Sequence, residues 1–355
     1  MPSNPLDVND LRARIQSTLT TFIDAHEPIL GNISPDAVRL VTSLRGLVAG
    51  GKRLRPAFAY WGYRATGRQD SDEIVRASAS LEFLQACALI HDDVMDDSDT
   101  RRGNPSTHKQ FEALHASESL RGDAEKFGEG AAILIGDLAL SWADELLYSS
   151  GLDFDQLQRA KGVYDVMRTE LMAGQFLDLL EQARGNADFA RATNVIRYKS
   201  AKYTIERPLL MGAAIGMASP DISNALSSYG LALGEAFQLR DDVLGVFGDQ
   251  ATTGKPAGDD LREGKETVLI AYARERGDDH TRAALAQSLG NAALDAAAVD
   301  ELRHLLTDCG ALAAVEDHIE AMFLRAEDAL QEPTLNSDAT EALRSLALIA
   351  TQRTS

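Results

Sequence analysis

Cysteine is nearly missing from this 355-residue chain, which carries only Cys87 and Cys309. Two thiols cannot build a disulfide framework, and their scarcity suits a reducing, cytoplasmic setting. No apolar run approaches the roughly 18 residues that a membrane helix requires. Met1 to Arg14 shows no basic segment followed by an apolar one, so neither a signal peptide nor membrane insertion is expected. Positive charge is also short: 35 Lys and Arg face 54 Asp and Glu, a formal net charge of −19. Such a chain repels phosphate backbones at long range, which argues against general nucleic-acid binding. Any phosphate it does bind must be met by local Lys and Arg or by bound cations. Hydrophobic residues at 45% and charged residues at 25% exclude wholesale disorder.

Proline is scarce where it matters. None lies between Pro105 and Pro208, and none between Pro256 and Pro333. These long stretches are rich in Ala, Leu, Glu and Arg, which favour helix. Ile133, Leu134, Leu138, Trp142 and Leu146 recur at three-to-four spacing, and Val163, Met167, Leu171, Phe176 and Leu179 follow a looser version. No period-2 run bounded by hairpin turns supports a strand. Breaks fall at 31–35, 49–51, 67–72, 103–105, 219–220 and 253–256. The expectation is an all-α fold of about a dozen helices packed as a single domain over residues 1–355.

Against this background two acidic clusters stand out. The first, His91-Asp92-Asp93-Val94-Met95-Asp96-Asp97-Ser98-Asp99, places five Asp in eight residues at the end of an apolar stretch. Asp92 and Asp96 are four apart and share one helical face. Like charges at that spacing repel, and carboxylates at a helix C-terminus oppose its dipole. Something should offset both, and Mg²⁺ is the natural candidate, because it takes one or two carboxylates with waters and substrate phosphates. A solvated acidic helix end is the competing reading of this cluster alone. The second cluster, Phe237-Gln238-Leu239-Arg240-Asp241-Asp242-Val243-Leu244-Gly245-Val246-Phe247-Gly248-Asp249, repeats the arrangement, and Asp259 and Asp260 follow in a Gly-rich loop. Two such helix ends could face each other across a bundle cavity and share a metal cluster. Cations accompany them: Lys52, Arg53 and Arg55 after Gly50-Gly51, Arg101 and Arg102, Lys199 and Lys202, and Lys255 and Lys265.

With these elements the chain resembles the trans-isoprenyl diphosphate synthases of the polyprenyl synthase family. The matching segments are GGKRLRP at 50–56, LIHDDVMDDSDTRRG at 89–103, Gly174-Gln175, Lys199-Ser200, FQLRDDVLGVFGD at 237–249 and GKPAGDDLREGK at 254–265, in order over about residues 45–270. The resemblance implies an isoprenoid-synthase-type helical bundle with a central cavity, Mg²⁺-dependent ionisation, condensation and elimination, and a homodimer. It implies three Mg²⁺ ions with an allylic diphosphate. Asp92 and Asp96 would hold two of them and Asp241 the third, supported by Asp93, Asp242 and Asp249. Arg101, Lys199, Ser200, Gln238, Lys255 and Lys265 would hold the allylic diphosphate, and Lys52, Arg55, Gln85 and Arg102 isopentenyl diphosphate. Catalysis would rest on Asp92, Asp96, Lys199 and Asp241. Gly245 departs from the pattern, standing where many members have the last Asp of the second DDxxD, and Ser200 replaces the usual Thr.

In the family, bulky aromatics four and five residues before the first Asp stop growth at the farnesyl product. Here those positions are Ala88 and Cys87, both small, with Leu84, Phe83 and Leu81 as the next floor. A geranylgeranyl (C20) product is therefore expected, with farnesyl or longer chains as alternatives. A class I terpene cyclase would not carry the GGKRLRP element, and a regulatory subunit would not need intact acidic motifs. The Glu112–His115 and Glu301–His304 pairs have di-iron spacing but lack two further inward Glu. The first acidic segment lacks the register and closing Glu of an EF-hand loop.

Overall fold

The computed structural model describes residues 4–248 and 258–351. Among them the regular structure is helical, apart from a ribbon of two two-residue strands, Thr100–Arg101 and Asn104–Pro105. These strands are too short to leave a period-2 pattern. They are joined by a two-residue turn with positive φ at Arg102 (54°) and Gly103 (75°), the geometry that matches strand twist in tight hairpins. No described helix is long and apolar enough to cross a membrane.

The chain divides into two compact units, residues 1–161 with 211–217, and residues 162–210 with 218–355. In the first unit the helices are α1 (Leu11–Ile33), α2 (Val38–Val48), α3 (Leu54–Ala65), α4 (Asp72–Met95), α5 (Thr107–Ser117) and α6 (Ala124–Tyr148). Helix α4 is its centre. Ser71 caps it by accepting the Ile74 N–H, and Asp72 and Glu73 sit in the first turn, where the helix dipole favours them. From Ala77 to Leu84 every residue of α4 is buried, the signature of a helix enclosed on all sides. Phe83 meets Phe22 of α1 and Trp142 of α6, with ring centroids 5.3 and 5.8 Å away. Each large side chain so enclosed contributes about 1.5–3 kcal/mol relative to exposure.

Helix α7 (Phe154–Arg184) begins in the first unit and ends in the second, where α8 (Phe189–Val195) and a π-helix (Ile196–Glu206) follow. Helix α9 (Arg207–Ile215) likewise has residues in both. Helix α10 (Pro220–Phe247) is the second unit's centre, started by a Ser219 cap and Pro220. Its Tyr229 is fully buried and donates to the Leu343 carbonyl at 2.7 Å. Leu239, Val243 and Val246 of α10 join a core with Val268, Leu269, Leu302 and Val315 from the C-terminal helices.

Candidate active site

In the first unit the tail of α4 changes character. After the buried stretch, Gln85, Ala88, Leu89, Asp92 and Asp96 are half-exposed at three-to-four spacing, so they form one accessible stripe. The acidic pair Asp92 and Asp96 lies at its C-terminal end. Asp93 points the other way, is 2% exposed, and accepts from Arg101 Nε at 2.9 Å and again from the Arg101 terminal nitrogen. Arg101 lies 3.7 Å from Asp92 as well. The ribbon delivers it: Asp97 is left-handed, Ser98 N–H donates to the Asp93 carbonyl, and the chain turns back on the helix end. Arg102 donates to the Leu47 carbonyl at 3.1 Å. Burial lowers its pKa, aided by the cations of Arg53, Arg101 and Arg55 and opposed by Glu82. That crowding of positive charge suits an anion.

The basic loop before α3 divides its cations between two duties. Arg53 is 3% exposed, adopts left-handed φ, and pairs with buried Glu82 of α4 while also bonding Gln16 and the Val48 carbonyl. It is an internal clamp rather than a ligand. Lys52 is exposed and Arg55 half-buried.

The two small residues before Asp92 separate as well. Ala88 lies on the accessible stripe, but Cys87 is fully buried, its sulfur 3.7 Å from His91 Nδ1. His91 in turn bonds the Ile133 carbonyl of α6 at 3.2 Å. Burial pushes the Cys87 thiol up to about 12, so it stays protonated and serves packing. Leu84 is buried too.

In the second unit an eleven-residue π-helix carries Lys199, Ser200 and Lys202. Such helices are rare and cluster at functional sites. Two glycines hold it. A Cβ at Gly174 of α7 would lie 2.4 Å from the Lys199 nitrogen, and one at Gly234 of α10 would lie 2.6 Å from Ala201 Cα. Their absence lets both helices press on the backbone that bears Lys199. Lys199 donates to Asp178 at 2.6 Å, and Lys265 lies 3.6 Å from the same oxygen. One buried carboxylate on α7 thus gathers two of the predicted diphosphate lysines. Lys202 goes elsewhere, to Glu170 at 2.6 Å, which also receives Arg207. Against its burial, the hydrogen bonds from Arg207 and Lys202 keep the Glu170 carboxyl below its ordinary pKa.

At the end of α10, Asp241 is half-exposed and Asp242 is 6% exposed, accepting from Gln238 at 2.8 Å. Burial pushes the Asp242 carboxyl well above the usual range despite that bond, and the charges of Asp260, Asp241 and Asp178 add to the push. Ser200 is half-buried on the π-helix. Asp249 and Lys255 lie outside the described residues. Among the described residues, no three His, Cys, Asp or Glu side chains converge to hold a metal ion unaided.

The family model for polyprenyl synthetase matches residues 38–306. The chain belongs to the polyprenyl synthetase family. This polyprenyl synthetase is a trans-prenyltransferase. It is 32% identical over 323 residues to the geranylfarnesyl diphosphate synthase of Aeropyrum pernix, covering 89% of this chain and 94% of that one. It is 30% identical to the geranylgeranyl diphosphate synthase of Saccharolobus solfataricus over 86% and 87% of the two chains. A crystal structure of geranylgeranyl pyrophosphate synthase from Corynebacterium glutamicum, complexed with isoprenyl diphosphate and magnesium, superposes with a TM-score of 0.93 at 40% identity. That match covers 97% of this chain and 98% of the other.

Sequence reasoning on this polyprenyl synthetase missed Asp178, Glu82 and Gln16. Asp178 follows Gln175 by three residues on α7 and so sits one turn beyond the Gly-Gln pair, a signal that was readable. Glu82 and Gln16 had none, because their partner Arg53 is 29 and 37 residues away.

Proposed function

We propose that the enzyme condenses isopentenyl diphosphate with an allylic diphosphate to give a C20, geranylgeranyl product, with residues 1–355 acting as one polyprenyl synthase domain. The family model runs across both units and supports the single-domain reading. The observation that carries the product length is the α4 stripe: the small Ala88 lies one turn before Asp92 on the same accessible face. An alanine there leaves room for a prenyl tail to extend along the helix beyond the acidic pair.

Mg²⁺ fits the donor set. It asks for one or two carboxylates completed by water and phosphate oxygens, so a closed protein cage is not required. Asp92 and Asp96, and in the second unit Asp241 with Asp242, would hold it, three ions being expected with the allylic diphosphate. When bound, Mg²⁺ neutralises the charge of the departing diphosphate. The chain's own cations share that task. Lys199, Lys265 and Arg101, with Gln238 and Ser200, bind the allylic diphosphate, and Lys52, Arg55, Gln85 and Arg102 bind isopentenyl diphosphate. Their carboxylate partners Asp178 and Asp93 hold Lys199 and Arg101 in position beforehand, so little reorganisation is needed when the leaving group forms. Apolar side chains around the tail keep water from the carbocation. The isopentenyl double bond attacks it, and the resulting cation loses a proton to the released diphosphate. The bound isoprenyl diphosphate and magnesium of the Corynebacterium neighbour support this assignment.

The protein is read as a cytoplasmic homodimer. Ile133 and Leu134, 47% and 61% exposed on α6, support an association surface in the first unit. The test is condensation in vitro with Mg²⁺, isopentenyl diphosphate and each of dimethylallyl, geranyl and farnesyl diphosphate, with products resolved by length. A C20 diphosphate is the expected product. Another length overturns the steric reading, and no condensation by folded protein overturns the assignment.

A further inference from the structure

The second acidic motif is one carboxylate short, and the structure puts another in its place. In a DDxxD run the third acid stands one turn after the first and shares its helical face. Here that position is Gly245. The space over it is filled: a Cβ at Gly245 would lie 1.9 Å from Asp260 Oδ2 and 2.4 Å from Asp260 Cγ. A side chain at 245 and the Asp260 carboxylate therefore exclude one another. The placement of Asp260 is built into the local backbone. It lies on a five-residue helix, Asp259–Glu263, that starts from a left-handed Gly258 and ends at a left-handed Gly264. Both Gly264 and Lys265 donate their N–H to the Asp260 carbonyl. The side chain stays half-exposed on the α10 end that carries Asp241.

We propose that Asp260 supplies the third carboxylate of the second acidic motif, and that Gly245 is glycine in order to admit it. The inference rests on the prenyltransferase reading above and names a cation-binding residue that the motif pattern does not reveal. The helix-ending bonds go to the Asp260 backbone carbonyl, which Asp260→Asn keeps, so this variant tests the side chain's part in cation binding.

The probe is Mn²⁺ titrated by EPR into the full-length protein with inorganic pyrophosphate, alongside circular dichroism and thermal melts. Asp260→Asn is expected to fold and to bind Mn²⁺ about tenfold or more weakly. Gly245→Ala should do the same, because its methyl group displaces the carboxylate. The double swap Gly245→Asp with Asp260→Gly should recover binding that either change alone removes. Wild-type Mn²⁺ affinity and stoichiometry in folded Asp260→Asn overturns the inference and leaves the reaction assignment standing. Should Asp260→Asn not fold, the swap decides: a folded swap protein without recovered Mn²⁺ binding overturns it. A wild-type protein that binds no Mn²⁺ with pyrophosphate and condenses no starter overturns the assignment together with the inference.

Discussion

At the end of α4 the buried carboxylate of Asp93 receives the guanidinium of Arg101, whereas at the end of α10 that of Asp242 receives, among the described residues, the neutral amide of Gln238. The two segments read alike in sequence, each an apolar helix closing in paired aspartates. Their buried members are nonetheless balanced differently. A charge paired with an arginine is compensated at all times. A buried carboxylate crowded by Asp241, Asp260 and Asp178 instead takes up a proton more readily. The buried member of the first acidic pair is thus charge-compensated by an arginine, and that of the second is held by an amide among other carboxylates.

The largest expected effect comes from the partly exposed acids on the α4 stripe. Asp92→Ala should lower kcat by about 10²–10³-fold or more, with a melting temperature near that of the wild type, in a steady-state condensation assay. Near-normal turnover would remove α4 from the chemistry. Next come the two compensating residues. Arg101→Met leaves a buried carboxylate uncompensated and should cost about 3–5 kcal/mol in urea unfolding. Gln238→Leu removes one neutral hydrogen bond and should cost about 1–3 kcal/mol. Equal losses would erase the contrast between the two ends.

Asp242 offers a finer test through pH. Its folded pKa lies above its unfolded one, so its contribution to stability is present in acid and is lost as pH rises through the folded value. Asp242→Asn should therefore melt higher than the wild type in chelator toward about pH 8, the gap closing toward about pH 5. A gap that is constant with pH would show that Asp242 does not titrate as its burial implies. The smallest expected effect is steric. Ala88→Phe should shorten the product with little change in melting temperature. Cys87→Phe, aimed at His91 and α6, should destabilise the fold by about 1–3 kcal/mol. A shortened product from a stable Cys87→Phe protein would reverse the roles given to these neighbours.

Much of this was legible beforehand, and the legible part has a common cause. Caps at Ser71 and Ser219, the proline-free stretches and the spacing of apolar residues are local, so they specify helices without knowledge of the fold. The ribbon at 100–105 escaped because two residues per strand carry no period. The motifs and their order carry the family resemblance, and the chemistry is what that resemblance implies.

Pairs of near neighbours show where that reading stops. Arg53 and Arg55 are two apart in one basic loop, yet the first is sealed on Glu82 and the second is half-buried. Lys199 and Lys202 share a helix, yet one meets Asp178 and the other Glu170. Cys87 and Ala88 are adjacent, and only Ala88 lies on the accessible stripe. Gly245 and Asp260 are fifteen positions apart, and the carboxylate of one fills the space the other leaves. The sequence by itself determined the helices, which follow from short-range pattern, and the family and reaction class, which the ordered motifs carry through their resemblance to known relatives. Which cation is buried, which small residue lies on the accessible stripe and which carboxylate fills the space over Gly245 were decided by tertiary structure, because each depends on a partner that packing alone brings within reach.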